Sequence, residues 1–240
     1  MADTRFSGSV VLVAGGTGAL GAAVSQAFAR EGAVVITTYR SPEEFETLRA
    51  SAAAAGLTIE GERVDVTNET AVRQFVTLAR SRHSRIDVLV NAVGGYVGGK
   101  KLWELDPDAF ERMLALNLRS LYVLSRAIVP SMLEARSGCL VNVAARAALE
   151  PPAGAAAYAA SKAAAIALLE SLAAEVRGTG VRVNSILPST IDTPANRRAM
   201  PEAAARSRWP TPEDIASVIL FLCSQEARVI HGASIPVYGN

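Results

Sequence analysis

Short apolar runs alternate with longer helical patterns along almost the whole chain, and this alternation constrains the fold more than any other feature. Seven short runs are predicted strands: Val10–Ala14, Val34–Thr38, Ile59–Val64, Val88–Asn91, Leu140–Val143, Arg182–Leu187 and Ser234–Val237. Six longer patterns are predicted helices: Ala19–Glu31, Pro42–Ala55, Asn68–Arg82, Pro107–Ala135, Ala155–Arg177 and Pro212–Cys223. This order predicts a mostly parallel sheet of seven strands with helices on both faces, the doubly wound α/β class. No linker or repeat divides residues 1–240, so we expect a single domain.

A glycine-rich turn follows the first predicted strand and opens the first helix. It reads Gly15-Gly-Thr-Gly-Ala-Leu-Gly21. In this strand–turn–helix setting, glycines permit a tight turn and let a pyrophosphate approach the helix N-terminus closely. The pattern predicts a Rossmann-type dinucleotide site. The predicted cofactor contacts in it are Gly15, Thr17, Gly18, Ala19, Leu20 and Gly21.

The end of the second strand indicates which dinucleotide is bound. A carboxylate at this place would hold the ribose 2′-hydroxyl of NAD, but the chain reads Tyr39-Arg40-Ser41. Arginine and hydroxyl groups suit a 2′-phosphate instead. We therefore predict NADP(H), with NAD(H) as the alternative, and Tyr39, Arg40 and Ser41 as cofactor contacts.

A tyrosine and a lysine four residues apart, Tyr158 and Lys162, share one face of a predicted helix. A nearby ammonium favours phenolate, so we expect the pKa of this tyrosine to be lowered toward the range of acid–base catalysis. A proton donor of this kind usually works beside a second hydroxyl that holds the substrate oxygen. No Ser or Thr occurs from Asn142 to Ala157.

Composition excludes several classes of function. A net charge of +1 gives no electrostatic reason to expect binding to nucleic acid or to an anionic membrane. No uninterrupted apolar run reaches the roughly 18 residues of a membrane span, and the first residues lack the apolar segment of a signal peptide. Two isolated cysteines, Cys139 and Cys223, are typical of buried thiols in a reducing compartment. We expect a cytoplasmic protein with no metal site that acts on a small molecule.

Further motifs appear in a fixed order and carry a resemblance. Asp65-Val66 follows the third strand, Asn91-Ala-Val-Gly94 follows the fourth, and Asn117 lies in the long middle helix. The segment Pro188-Ser-Thr-Ile-Asp-Thr193 follows the sixth strand. Together with the glycine turn and Tyr158/Lys162, these motifs resemble the short-chain dehydrogenase/reductase family over nearly the full length. The resemblance adds these cofactor contacts: Asp65, Val66, Asn91, Ala92, Val93, Gly94, Lys162, Pro188, Thr190, Ile191 and Thr193.

The resemblance implies a role for each catalytic position. Tyr158 exchanges a proton with the substrate, Lys162 binds the nicotinamide ribose and lowers the tyrosine pKa, and Asn117 holds a water in a proton relay. Thr193 contacts the phosphates or carboxamide of the cofactor, and residues from about 189 to 209 act as a lid. The family's habit and the small side chains of Ala155–Arg177 predict a homodimer or homotetramer.

Two departures from the family pattern affect the predicted chemistry. Ala19 stands where the family usually has a glycine, and the glycine is shifted by one residue to Gly18. Ala145 stands 13 residues before Tyr158, where the family has its catalytic Ser. The dihydropteridine reductase branch also has Ala there, and the Gly94–Gly99 loop is similar to it. The leading hypothesis is an NADP-dependent carbonyl reductase. The alternatives are reduction of a pterin, imine or quinonoid substrate, and a dinucleotide sensor with little turnover.

The remaining histidine and aromatic residues give weaker signals. His83 and His231 are predicted not to be catalytic. Tyr96, Trp103 and Trp209 either wall the substrate pocket or belong to the core.

Overall fold

The computed structural model describes residues 4–206 and 208–239, and a seven-stranded sheet lies at its centre. The strands are β1 Val10–Ala14, β2 Val34–Tyr39, β3 Ile59–Arg63, β4 Val88–Asn91, β5 Gly138–Val143, β6 Val181–Pro188 and β7 Ser234–Val237. All neighbouring strands are parallel, in the order β3-β2-β1-β4-β5-β6-β7. The predicted doubly wound class and its seven strands are confirmed.

The helices pack in two layers, one on each face of the sheet. They are α1 Ala19–Arg30, α2 Pro42–Ala54, α3 Glu69–His83, α4 Pro107–Leu114, α5 Ser120–Glu134, α6 Ala156–Glu175, α7 Pro194–Ala199, α8 Pro201–Arg206 and α9 Pro212–Cys223. One apolar cluster packs α3, α5 and α6 against the sheet, and a second packs α1, α2 and α9 against the opposite face. Prolines occupy the first turns of α2, α4 and α9, as the sequence predicts.

The structure departs from the predicted helices in two places. The single helix predicted for Pro107–Ala135 is wrong, because a five-residue π-helical segment, Ala115–Arg119, separates α4 from α5. The region predicted as a lid, about 189 to 209, contains the short helices α7 and α8, which local patterns did not reveal. Ser207, within that region, lies outside the described residues.

By length and composition alone, α6 is apolar enough to cross a membrane, a feature that the sequence search missed because charged residues interrupt the run. Core helices of this length pass the same test. Ala165, Leu169 and Ala173 of α6 are buried in one of the two apolar clusters. This packing shows that one side of α6 is buried against the sheet, and the opposite side of the helix is exposed.

The strand order reverses direction between β1 and β4. From β1 the chain builds outward through β2 and β3, and from β4 it builds the other way to β7. At such a switch point the loops at the carboxyl ends of the two strands diverge and leave a crevice, which is where open α/β sheets bind ligands.

Candidate functional site

The glycine turn between β1 and α1 is shaped by close packing. Gly15 has a positive φ of 77°, and its N–H donates to Thr38 Oγ1 at 3.1 Å. A Cβ on Gly21 would lie 2.2 Å from the carbonyl oxygen of Gly15, so only glycine lets α1 come this close. Gly18 differs, because the nearest atom to a Cβ there would be 3.6 Å away. Packing requires Gly21, whereas the space beside Gly18 is open to a ligand.

The N-terminus of α1 has the properties of a phosphate site. Its cap residue, Gly18, makes no side-chain capping bond, and the first turn contains no acidic residue. Backbone N–H groups at the start of this 12-residue helix therefore have no side-chain acceptor, and the helix dipole favours an anion there. The pyrophosphate of a dinucleotide fits this cradle.

The three residues after the second strand are placed differently from one another. The ring of Tyr39 stacks on Phe45 with 4.6 Å between centroids, so it packs on α2. Arg40 is exposed, and its carbonyl oxygen accepts a hydrogen bond from Arg63 Nε at 3.2 Å. The hydroxyl of Ser41 caps α2. Arg40 therefore presents the exposed cation at this point, with a second arginine beside it.

A carboxylate that sequence reasoning missed reaches the glycine turn. Thr17 Oγ1 donates to Glu44 Oε2 at 3.0 Å, across 27 residues of chain. Glu44 lies in the first turn of α2, where acidic residues are common, so local pattern alone gives no sign of this contact. It places a negative charge beside the predicted phosphate site.

Two of the cofactor contacts predicted after β3 and β4, Asp65 and Asn91, make hydrogen bonds within the protein. Asp65 Oδ1 accepts hydrogen bonds from the N–H and hydroxyl of Thr67, which lowers the pKa of the Asp65 carboxyl. Asn91 donates through Nδ2 to Asn142 Oδ1 at 2.9 Å. Val66 belongs to the apolar core, and the side chain of Val93 lies against the glycine turn.

Asn117 is fully buried in the π-helical segment and holds the loop after β4. Its Oδ1 accepts from the N–H of Gly95 at 2.9 Å, and its Nδ2 donates to the carbonyl oxygen of Gly95 at 3.1 Å and to Ser161 Oγ at 2.9 Å. A Cβ on Gly94 would lie 3.0 Å from Asn117 Oδ1 and 3.2 Å from Lys162 Nζ. Asn117 and Lys162 therefore converge on Gly94.

Lys162 is buried in α6. Its Nζ donates to the carbonyl oxygen of Val143 at 2.8 Å, and its side chain is 5% exposed. Burial lowers the pKa of the Lys162 ammonium to about 8.

The ionisation of Tyr158 contradicts the expectation drawn from the sequence. Burial, and to a smaller extent the nearby Tyr96, raise the pKa of Tyr158 to about 12. The prediction of a lowered tyrosine pKa is therefore wrong for the protein without ligand, because loss of solvation outweighs any attraction from the Lys162 ammonium.

A cavity of about 1230 Å³ opens at the carboxyl ends of the strands. The predicted site residues that line it are Leu20, Ala92, Gly94, Tyr158, Lys162, Pro188, Thr190 and Ile191. Ala145 also lines it, so the position without a hydroxyl faces the cavity. Tyr96 and Trp209 belong to its wall, whereas Trp103 is 79% exposed and lies outside both wall and core.

The segment after β6 borders the cavity through its own hydrogen bonds. The hydroxyl of Thr193 caps α7, accepting from the N–H of Asn196 at 3.2 Å. Asn196 Nδ2 donates to the carbonyl oxygen of Ile191 at 2.8 Å and itself lines the cavity. Asn196 was missed because nothing in the sequence marks it.

Arg146, Glu150 and Tyr238 also line the cavity and were among the residues that the sequence did not predict. Arg146 pairs with Glu150 at 2.5 Å, and its guanidinium lies 4.8 Å from the ring centroid of Tyr238. Arg146 directly follows Ala145, so its position next to the missing hydroxyl was the available signal.

The two histidines make structural contacts, His83 with Glu60 and His231 with the backbone. In residues 4–206 and 208–239, no three His, Cys, Asp or Glu side chains form a metal-binding group.

Comparison with known proteins agrees with this architecture. Residues 15–239 match a family model described as enoyl-(acyl carrier protein) reductase. The chain is 32% identical to a 3-oxoacyl-[acyl-carrier-protein] reductase of Thermotoga maritima, covering 98% of each chain. It is also 32% identical to meso-2,3-butanediol dehydrogenase of Serratia marcescens, over 98% of this chain and 95% of that one. A metagenomic short-chain oxidoreductase solved with NADP superposes with a TM-score of 0.84 at 31% identity, covering 98% and 99% of the two chains.

Proposed function

Because this chain belongs to the short-chain dehydrogenase/reductase family, we propose that it transfers hydride between NADP(H) and a carbonyl or alcohol substrate, with Tyr158 as the proton donor. One observation carries the proposal. Tyr158 and Lys162 line a single cavity at the switch point of the sheet, and Asn117 lies against Gly94 in the cavity wall. The glycine turn, with its open phosphate cradle, lies at the same edge of the sheet.

The residues divide the work of reduction. The bound dinucleotide supplies the hydride, and the chain supplies position and a proton. A Tyr158 pKa of about 12 keeps the phenol protonated near neutral pH, which suits donation to the substrate oxygen. Lys162, with a pKa of about 8, is mostly cationic at neutral pH and is placed to hold the hydroxyls of the nicotinamide ribose. Asn117 fixes the loop at Gly95 and, by resemblance, supports the proton relay.

The preference for NADP(H) rests on the end of β2. Arg40 is exposed there with Arg63 beside it, and Tyr39-Arg40-Ser41 itself contains no carboxylate, although Glu43 accepts from the Ser41 hydroxyl at 2.7 Å. The similar metagenomic oxidoreductase was solved with NADP. The negative charge of Glu44 opposes this preference, but its carboxylate accepts a hydrogen bond from the hydroxyl of Thr17 in the glycine turn and does not lie at the strand end. The two exposed cations at the strand end favour the 2′-phosphate, in competition with the carboxylates of Glu43 and Glu44.

A second candidate follows from Ala145. This residue is 7% exposed at the cavity wall and cannot donate a hydrogen bond. A quinonoid dihydropterin or an imine does not need the donor that a ketone oxygen needs. The resemblance to dihydropteridine reductase supports this alternative.

The proposal is tested by one side-by-side assay. The purified protein is given NADPH or NADH with acetoacetyl-coenzyme A, 2,3-butanedione or quinonoid dihydropterin, and nicotinamide absorbance is followed. Oxidation of NADPH that is faster than that of NADH, with either carbonyl probe, supports the NADP-dependent carbonyl reductase. Turnover of the dihydropterin alone supports the second candidate. Tight NADPH binding without turnover of any probe would favour a dinucleotide sensor and overturn the proposed function.

A further inference from the structure

The cavity contains a proton donor, but its wall at Ala145 lacks a hydroxyl. A carbonyl oxygen gains negative charge during reduction, and loss of one donor to such an oxygen typically slows a reaction by about a hundred- to a thousandfold. The segment from Asn142 to Ala157 has no Ser or Thr to supply that donor. A donor from another wall of the cavity would meet the same need.

Among the residues that the structure describes, four hydroxyl side chains line the cavity besides that of Tyr158: Tyr96, Ser189, Thr190 and Tyr238. The hydroxyl of Ser189 donates to the carbonyl oxygen of Tyr238 at 2.7 Å, so its proton is engaged. Thr190 lies in the segment proposed to contact the cofactor. Tyr96 is the one whose ring packs on the ring of Tyr158.

The two phenols meet edge to face. Their ring centroids are 5.0 Å apart at an interplanar angle of 75°. A Cβ on Gly98 would lie 2.1 Å from the hydroxyl oxygen of Tyr96, so the glycine at this position makes room for the phenol. The Tyr96 hydroxyl therefore lies against Gly98 of its own loop, while 66% of the Tyr96 surface is exposed.

The base of this loop is held by hydrogen bonds. Asn117 makes two hydrogen bonds to the backbone of Gly95, the residue directly before Tyr96, and is itself held by Ser161 of α6. Because α6 also carries Tyr158, this hydrogen-bonded connection links the base of the Tyr96 loop to the helix of Tyr158. Ala145 lines the same cavity as the two tyrosines.

We propose that Tyr96 replaces the missing hydroxyl, donating its phenolic O–H to the substrate oxygen while Tyr158 transfers its own proton. The inference rests on the proposed function. In the balanced step, hydride adds to the carbonyl carbon and the C=O π pair moves to oxygen. That oxygen takes the proton of Tyr158, which is left as phenolate and regains a proton from water. Tyr96 keeps its proton throughout, and NADPH becomes NADP⁺.

The test compares Tyr96→Phe with Tyr122→Phe, a matched control that removes a phenol from the exposed side of α5. Both changes keep the aromatic ring. With NADPH and 2,3-butanedione or acetoacetyl-coenzyme A, Tyr96→Phe is expected to lower kcat at least tenfold, with NADPH binding unchanged within threefold. Tyr122→Phe is expected to stay within twofold of the native rate.

A rescue experiment sharpens the assignment. Ala145→Ser is expected to restore kcat at least tenfold in the Tyr96→Phe protein and to change the native protein much less, because the two hydroxyls serve one oxygen. A Tyr96→Phe protein with more than a tenth of native kcat overturns the inference, as does an equal gain from Ala145→Ser in both backgrounds. Turnover of quinonoid dihydropterin alone, undiminished in Tyr96→Phe, also overturns it. Absence of turnover in the native protein overturns the proposed function and this inference with it.

Discussion

The ammonium of Lys162 donates to the carbonyl oxygen of Val143, the last residue of β5, from an almost fully buried side chain. The lysine thereby links α6 to the strand that leads into Ala145. It is a charged group kept in a place that disfavours charge, since burial lowers its pKa from 10.5 to about 8. Its charge therefore costs stability, as expected for a residue that serves the proposed chemistry.

Replacing this lysine should stabilise the fold. A pKa lowered by about 2.5 units corresponds to a cost of roughly 3 kcal/mol when both folded and unfolded states are protonated. Lys162→Met removes that cost but leaves the carbonyl of Val143 unpaired, so we expect the free energy of unfolding to rise by about 1–2 kcal/mol near neutral pH. Urea unfolding measures this, with the exposed Lys100→Met as the control.

The pH dependence of that gain has a defined sign. Between about pH 8 and 10.5 the unfolded chain holds a proton on Lys162 that the folded protein has released, so the native protein gains stability as pH rises. The advantage of Lys162→Met should therefore shrink across this window. A difference that is constant from neutral pH to above 10.5, or a variant less stable than the native protein at neutral pH, would contradict the assignment.

Tyr158→Phe should abolish turnover. The change removes the transferable proton and little else, and losses of about a hundred- to ten-thousandfold are typical of general acid catalysis. Binding of NADPH, followed by nicotinamide fluorescence, should stay within threefold of the native protein. Retention of more than a tenth of native activity would show that Tyr158 is not the acid.

Cofactor choice should follow the charges at the end of β2. We expect the native protein to bind NADPH at least tenfold more tightly than NADH, about 1.4 kcal/mol, and Arg40→Asp to reverse the order. Glu44→Gln, which removes the carboxylate at Thr17, should tighten NADPH binding by about threefold through weaker repulsion. Glu46→Gln, on the same helix but paired with Arg49, is the control. Equal native affinities for the two cofactors would refute the preference.

The exposed side of α6 should form a contact between copies of the chain. Small residues follow one another along it: Ala160, Ala163, Ala167, Ser171 and Ala174. Such a surface lets a second helix approach closely, and we expect light scattering to give two or four times the chain mass of 25.1 kDa. Ala167→Arg should shift the mass toward a single chain, whereas Ala53→Arg on α2 should not. A native mass of one chain at micromolar concentration would rule out this assembly.

The strands and most helix ends could be predicted because their signals are local. The runs at β1 and β4 were placed at their observed bounds, since buried parallel strands are continuous apolar segments. The bounds of the edge strand β7 were also predicted correctly, although none of its residues is buried. Pro42 and Pro212 marked the first turns of α2 and α9, because proline lacks an N–H that would be unpaired there in any case. The glycine turn, Tyr158 and Lys162 were found because each motif occupies fewer than eight consecutive residues.

What the sequence did not predict depends on contacts between distant segments. The bond from Thr17 to Glu44 joins a turn to another helix, and nothing in either segment announces it. The raised pKa of Tyr158 depends on how deeply α6 is covered, which periodicity does not report. Asn117 was predicted from resemblance, but its two bonds to Gly95 required the fold of the loop after β4.

The π-helical segment at Ala115–Arg119 has a consequence for how this protein can be altered. A π turn contains one residue more than an α turn, and one residue of an α-helix corresponds to a rotation of about 100°. Deleting a single residue near Leu118 would let α4 and α5 merge into one regular helix at the expense of their relative orientation. Either Asn117 would turn away from Gly95, or the apolar side of α5 would turn away from the sheet. The extra residue thus lets Asn117 bind Gly95 while the apolar side of α5 packs on the sheet. Libraries that vary the length of this region should therefore tolerate insertions and deletions there least.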